Sequence, residues 1–345
     1  MKIMGIESSC DETAAAVVEN GNKILSNVVV SQIDIHAAYG GVIPEIAARS
    51  HIEAIQPVID KALSDASLTI ENIDAIAVTH TPGLIGSLLV GTLAARTIAV
   101  INNIPFYPTH HLKSHIYANW LSGHQPEFPL ISAVISGGHT QLIYMNRHDD
   151  FEIIGTTRDD AIGECFDKVA KILGLPYPGG PAISKAAESG NPNRYKLPIP
   201  KVDKLDFSFS GLKTAVLRSI QKELSLPITT PSHKLQELLT AEQVADFAAS
   251  FQATAIKILI QKLKKANESY PAKSILLAGG VSANRALRDE LQKTFSKTHQ
   301  VYFPEPGLST DNGAMVASAA YYSIQAGEKP TNPYELDISP RSTIH

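Results

Sequence analysis

The sequence predicts an α/β protein of two lobes with a cleft between them, and three observations carry that expectation. A three-strand opening is followed by helix, strand and helix. The same order restarts after Pro129. Polar or glycine-lined turns then sit at equivalent strand ends of the two halves, which together form duplicated βββαβα units.

In the first unit, the apolar stretch Lys2 to Glu7 reads as a strand, Ser8 to Thr13 as a polar turn, and Ala14 to Val18 as a second strand. Asn20-Gly21 marks a tight hairpin into a third, Lys23 to Val30. A helix is expected from about Pro44 to Ala66, a strand at Ile73 to Thr79, and a helix from Leu84 to Val100. In the second unit, strands are expected at Leu130 to Ser136, Gln141 to Met145 and Glu152 to Thr156. Helices follow over Ala161 to Leu173, Lys213 to Leu224 and Ala241 to Ala266, and a strand over Ser274 to Ala278 runs through Gly279-Gly280 into another helix. A last helix, from about Asp311 to Ala326, has nowhere to add to the second lobe and is expected to pack back on the first. The lobes are therefore placed at 1–128, completed by a helix at about 310–328, and 129–309, with an extended tail over 329–345. Asn191 to Pro200 reads as surface loop.

At 345 residues, 44% hydrophobic and 19% charged, the chain has the composition of a globular protein with a substantial core. A formal charge of −4 gives no general attraction for nucleic acid, so any such role needs a local basic surface or help from partners. Lys257, Lys262, Lys264 and Lys265 make one basic cluster, and Lys201, Lys204, Lys213, Arg218 and Lys222 another. Two cysteines, Cys10 and Cys165, cannot form a disulfide framework and lack the spacing of a thiolate zinc site. The N-terminus turns acidic before a signal-peptide core could form, and Leu84 to Ile101 carries too many polar residues to span a bilayer. No membrane is expected, and the cytoplasm is the expected location.

Chemistry concentrates in four places. In Pro108-Thr109-His110-His111-Leu112-Lys113-Ser114-His115, a helix starting at Pro108-Thr109 would put His111 and His115 one turn apart on one face, able to share a metal ion. Asp311, at the start of the last helix, would be kept ionised by the helix's positive end. Two histidines and one aspartate form an open facial set suited to Fe²⁺, with Zn²⁺ also possible. The turn Ser8 to Thr13 offers backbone amides to an anion, while Asp11 and Glu12 could hold a cation or orient water. Ser136-Gly137-Gly138-His139-Thr140 lets backbone approach a phosphate or carbonyl, and Asn284, past Gly279-Gly280, could contact a nucleoside. Glu164 and Asp167 share a helix face, either to accept from ribose hydroxyls or to pair with Lys168 or Lys171.

Taken in order, Gly5 to Thr13, Tyr107 to His111, Ile135 to Thr140, Tyr177 to Pro181, Phe207 to Thr214, Gly279 to Asn284 and Ser309 to Ala314 resemble the tRNA N6-adenosine threonylcarbamoyltransferase family over essentially the whole chain. The resemblance implies a two-lobed, actin-like ATPase (ASKHA) fold. It implies that His111, His115 and Asp311 bind one divalent metal, and that Val134, Ile135, Ser136, Gly137, Gly138, Asp167, Gly180 and Asn284 hold an adenylate substrate. Asp11 matches an acidic position the family needs, and Glu12 stands beside it as a second catalytic residue. Ser184 departs from the aspartate many members carry there.

The implied reaction moves threonylcarbamoyl from threonylcarbamoyl-AMP to N6 of the adenosine beside the anticodon, in tRNAs reading codons that begin with A, and AMP leaves. ATP or ADP are further expected occupants of the cleft. The implied partners are tRNA, a paralogous scaffold subunit bound as a heterodimer, a small ATPase that resets the complex, and an upstream synthase that makes the adenylate. A zincin protease is excluded because Leu112, not Glu, follows His111. A small-molecule kinase or ATPase on the same fold is the competing activity, but it has no use for a His-His-Asp set. A non-catalytic scaffold would lack the paired histidines.

Overall fold

The computed structural model describes residues 1–148 and 150–341. The first half contains β1 (Lys2–Glu7), β2 (Glu12–Glu19), β3 (Lys23–Ser31), α1 (Ile33–Ala37), α2 (Pro44–Asp65), β4 (Ala75–Thr81), α3 (Ile85–Asn102), β5 (Phe106–His110) and α4 (His111–Leu121). The second half opens with β6 (Leu130–Ile135), β7 (Thr140–Arg147) and β8 (Asp150–Thr156). It continues through α5 (Ile162–Ile172), α6 (Gly179–Ala187), α7 (Ser210–Glu223), α8 (Ser232–Leu235) and α9 (Ala241–Ser269). It ends with β9 (Ser274–Ala278), α10 (Arg285–Phe295), β10 (Gln300–Tyr302) and α11 (Gly313–Gln325).

The two sheets run β3-β2-β1-β4-β5 and β10-β9-β6-β7-β8, so each lobe has the same strand connectivity. In each, the three opening strands pair antiparallel and the last two add in parallel. The duplicated unit is one strand longer than expected. β5 contains Pro108 and β10 has only three residues, which is why periodicity did not reveal them. Both are edge strands, where a missing backbone donor is tolerated. Pro108 and Thr109 therefore do not start a helix: they pair with Val78 and Thr79 of β4. The helix starts at His111, and the His110 ring accepts a hydrogen bond from the Leu112 amide as its cap. α11 likewise begins at Gly313, two residues beyond Asp311, with the Asn312 side chain as cap. The segment around Gly179-Gly180-Pro181, expected only as a motif, opens the helix α6.

Each lobe's last helix packs on the other lobe's sheet. α4 buries Leu112, Ile116, Tyr117 and Trp120 among Leu130, Val134, Ile143, Met145, Leu276 and Ala278. Its Asn119 amide donates to the Leu277 carbonyl. α11 buries Ala314, Met315, Val316, Ala317 and Ala320 against Ile3, Ala16, Val18, Ala75 and Ala77. The close approach of α11 rests on two glycines. A Cβ on Gly5 would lie 2.2 Å from the Gly313 carbonyl oxygen, and one on Gly313 2.6 Å from the Ala16 nitrogen. Arg288 of α10 donates to the carbonyls of Ser282 and Pro304 and to the Ser309 hydroxyl, tying down the segment that leads to Asp311.

α3 packs Ser87, Leu88, Gly91, Thr92, Ala95 and Ala99 inward, but its other face is open. It is the one helix among the described residues long and apolar enough to cross a membrane. Past α11, the chain follows the edge of the first lobe: the Thr331 amide donates to the Phe106 carbonyl and the Arg96 guanidinium to that of Leu336. Of the expected tail, residues 342–345 lie outside the described residues.

Candidate metal centre and adenylate cleft

The crossing of α4 and the approach to α11 brings His111, His115 and Asp311 together, with one ligand atom from each lying within 4.8 Å of the others. The two imidazoles meet edge to face, ring centroids 4.6 Å apart. Asp311 Oδ1 stands 3.0 Å from His115 Nε2 and 3.7 Å from His111 Nε2. His115 is 1% exposed, and neither of its ring nitrogens has a hydrogen bond of good geometry despite that short distance. Buried imidazole nitrogens left this way carry a desolvation penalty unless a further group arrives. A divalent cation satisfies that need, and the nitrogen and oxygen donors suit one.

Sequence reasoning missed Glu7. It is fully buried at the end of β1, and its carboxylate accepts from the Ser9 amide at 2.6 Å, the Thr79 hydroxyl at 2.6 Å and His111 Nδ1 at 3.2 Å. Carboxylates commonly hold a metal-binding imidazole by its far nitrogen in this way, leaving Nε2 for the ion. The available signal was an acid closing a strand otherwise buried on both faces. Burial alone would lower the His111 pKa, but the carboxylates of Asp311 and Glu7 outweigh it and hold the imidazole up at about 9. Burial would raise Asp311, but His111, His115 and His139 pull it down to about 2. Asp311 is thus kept ionised chiefly by the histidines, which corrects the expectation that the helix end would do so.

Asp11 lies on the turn from β1 to β2, and Glu12 is the first residue of β2. The Ser31 hydroxyl donates to Glu12 at 3.0 Å. Burial, then the charges of Asp311 and Asp11, push the Glu12 carboxyl up to about 9, so this side chain faces the triad closely enough to feel it. The Cys10 thiol on the same turn is pushed far up by burial and by Asp11, and Cys165 is pushed up to about 12, so neither is an activated nucleophile.

From the second lobe, Val134 and Ile135 are buried in β6, and the chain then turns through Ser136, Gly137, Gly138 and His139, where the Ser136 hydroxyl accepts from the His139 amide. A Cβ on Gly137 or Gly138 would meet nothing within 4 Å, so these glycines leave space that no protein atom fills. His139, also missed, has its pKa lowered to about 4 by burial and then by the charges of His111 and His115.

The remaining expected residues sit on segments that follow in the second lobe. A Cβ on Gly279 would lie 2.6 Å from the Ile135 carbonyl oxygen, and one on Gly163 2.6 Å from that of Ser136, so the Gly279 turn and the start of α5 both abut the end of β6. Asp167 Oδ1 accepts from the Gly179 amide at 2.7 Å, next to Gly180, around which space is again open. Glu164 does not act with Asp167: it pairs with Lys168, which also holds Asp160. Asn284 caps α10 through Oδ1, and its Nδ2 donates to Ser184 and Gln252. Its amide group is thus already engaged by protein. A groove of about 570 Å³ opens beside this cluster, between α9 and α10, and no triad residue lines it.

Among solved structures, the chain aligns over 94% of its length with 48% of a HypF protein of T. kodakarensis (TM-score 0.64, 13% identity). It also aligns over 95% of its length with all of the component A of (R)-2-hydroxyglutaryl-CoA dehydratase from Acidaminococcus fermentans (TM-score 0.52, 15% identity). These likenesses concern the fold, which is the two-lobed actin-like one. Curated relatives called tRNA N6-adenosine threonylcarbamoyltransferase include one from Thermomicrobium roseum, 49% identical, with 98% of this chain and 95% of that protein aligned. Another, from Symbiobacterium thermophilum, is 50% identical over 98% of this chain and 94% of that protein. The family model of the same description matches residues 23–318, and the chain belongs to the tRNA N6-adenosine threonylcarbamoyltransferase family.

Proposed function

We propose that His111, His115 and Asp311 hold a divalent metal, Fe²⁺ in preference to Zn²⁺, at the centre of an acyl-transfer site. The chain is an acyltransferase acting on tRNA, forming threonylcarbamoyladenosine at position 37. The observation that carries the metal assignment is the buried His115 Nε2, without a hydrogen bond of good geometry, 3.0 Å from an ionised Asp311. The ion supplies Lewis acidity toward the activated carbonyl. In the reaction, the N6 nitrogen forms a bond to the carbamoyl carbon, the bond from that carbon to the adenylate oxygen breaks, and the N6 proton departs as AMP leaves.

The protein's own residues divide the remaining work. Glu7 fixes the orientation of His111. Gly137 and Gly138 offer amides to negative charge as it develops, in space left clear for the adenylate. Val134 to Gly138, Asp167, Gly180 and Asn284 form the adenylate wall, with Asp167 and Asn284 acting by shaping the turns they bond. ATP or ADP would use the same wall. Asp11, on the facing turn, is the group positioned to take up the N6 proton, while Glu12 beside it, its carboxyl held up at about 9, keeps its own proton and can donate.

Partner proposals rest on surfaces. Ile52 of α2 and Ile85, Leu89, Leu93 and Ile101 of α3 are 48–75% exposed, and a Cβ on Gly86 would touch Ala48, so the two helices present one apolar face. Such a patch suits a protein partner, and the proposed occupant is a paralogous scaffold subunit. A small resetting ATPase and an upstream synthase of the adenylate complete the proposed set, which works in the cytoplasm without a membrane. The two basic clusters lie side by side, since Lys262 donates to the carbonyls of Val202 and Lys204, and they are offered as part of the tRNA footing. The decisive experiment is transfer of threonylcarbamoyl from its adenylate to unmodified tRNA by wild type and by His111→Ala. Equal rates would remove the metal from the reaction.

A further inference from the structure

Asp11 and Glu12 are bracketed by Cys10 and Thr13, and one buried side chain holds both brackets. His51 of α2 is 0% exposed. Its Nε2–H donates to the Cys10 carbonyl at 2.9 Å, so its Nδ1 accepts from the Thr13 hydroxyl, at 2.7 Å. Other parts of the turn are tied to neighbouring elements by further bonds. Leu84 donates to the Ser9 carbonyl, Gln32 to that of Asp11, and the Ser87 hydroxyl of α3 also reaches the Cys10 carbonyl. β3 runs alongside, Glu12 pairing with Ser31 and Thr13 with Val30, and among the described residues His51 is the side chain that bridges Cys10 to Thr13. A histidine serving merely to fill the core would not need both ring nitrogens directed at the two residues flanking that pair.

We propose that His51 is a positioning residue for acyl transfer, stapling Cys10 to Thr13 and thereby fixing where Asp11 and Glu12 stand in the cleft. The inference rests on the reading that this acidic turn takes part in the reaction. The staple needs one tautomer, protonated at Nε2 with a free lone pair at Nδ1. Burial favours the neutral ring by lowering its pKa. α2 is also a helix of the exposed apolar face, so the staple lies one side chain below the proposed partner surface: Ile52 points out and His51 points in.

The test has two arms. In the full chain, ¹⁵N NMR of the His51 ring should show the Nε2–H tautomer at neutral pH; an Nδ1–H tautomer or an imidazolium would overturn the staple, whatever the activity. In the transfer assay with its partners and unmodified tRNA, His51→Leu should lower kcat by about 10–100-fold, as loss of ångström-level positioning does. KM for tRNA and the metal bound per chain should not change. His51→Gln, whose amide can donate and accept along the same line, should restore kcat to within about threefold. Thr13→Val, which keeps the histidine, covers the case where His51→Leu does not fold, and should lower kcat in the same way. Unchanged kcat in the Leu and Val variants, or equal losses with Gln and Leu, would overturn the proposal. An inactive wild type would instead count against the acyl-transfer reading and leave the NMR arm standing.

Discussion

Metal binding at this site should expel protons, and the structure sets how many and over what pH range. In the metal-free protein the His111 imidazole is held up at about 9, burial working against it and Asp311 and Glu7 for it. A metal requires the neutral ring. At pH 7 the ion must therefore displace a proton bound about two pH units too tightly. That competition weakens apparent affinity by about 100-fold relative to the neutral ring, or about 2.8 kcal/mol at 1.4 kcal/mol per factor of ten. Glu12 is also held at about 9, in part by the charge of Asp311, so a cation against Asp311 should release part of a second proton. Isothermal titration of the metal into metal-free protein at pH 7, in buffers of different ionisation enthalpy, counts these protons. Between one and two released per ion is the expected result, with affinity rising about tenfold per pH unit from 7 toward 9. Zero protons released, with affinity flat across that range, would show that His111 is neutral before the metal arrives and would refute the electrostatic reasoning.

Glu7→Gln keeps the side-chain volume but removes the charge behind His111. It should weaken metal binding by about 10–100-fold, measured by competition with a chelator. Gly137→Ala should leave thermal stability within about 0.5 kcal/mol, because its Cβ meets nothing, yet weaken adenylate binding severely if the empty space is where the ligand lies; normal binding would place the ligand elsewhere. In the metal-free chain, His111 and Glu12 both bind protons more tightly folded than unfolded. Their stabilisation is complete below the unfolded values, 4.5 for Glu12 and 6.5 for His111, and is lost as pH rises toward about 9. Thermal melts should therefore fall across that window without metal and flatten with it. Leu89→Glu with Leu93→Glu, both on exposed positions, should leave the fold intact and abolish association with the paralogous subunit in size-exclusion experiments.

The duplicated lobes are legible in the sequence because strand pairs joined by Asn20-Gly21, and their repeat after Pro129, leave a strong local pattern. The fifth strand of each sheet is not legible. Pro108 reads as a break unless the strand is known to lie at an edge, and Gln300–Tyr302 is too short for any period to register. At the site, His111 and His115 are visible through their spacing, because both sit on one helix. Asp311 is visible only as an acid near a helix start, since its proximity to the histidines depends on Gly5 and Gly313 letting α11 close on β1. Glu7 and His139 stay hidden for the same reason: each matters through a contact between segments far apart in the chain. The acid pair Glu164 and Asp167 shows the limit from the other side, since a shared helix face did not make a shared function once Lys168 was in reach.

The placement of the triad follows from the duplication itself. α4 succeeds the fifth strand of the first sheet, and the segment carrying Asp311 leads from the fifth strand of the second sheet into α11. These are equivalent positions in the two copies, and each of the two helices packs on the opposite sheet. Their N-terminal ends consequently converge where the lobes meet, one bringing His111 and His115 and the other Asp311. An ion bound there would join the helix that ends the first half to the segment leading into the helix that ends the second. The twofold repeat thus makes one cleft of two halves, and His111, His115 and Asp311 are drawn from both.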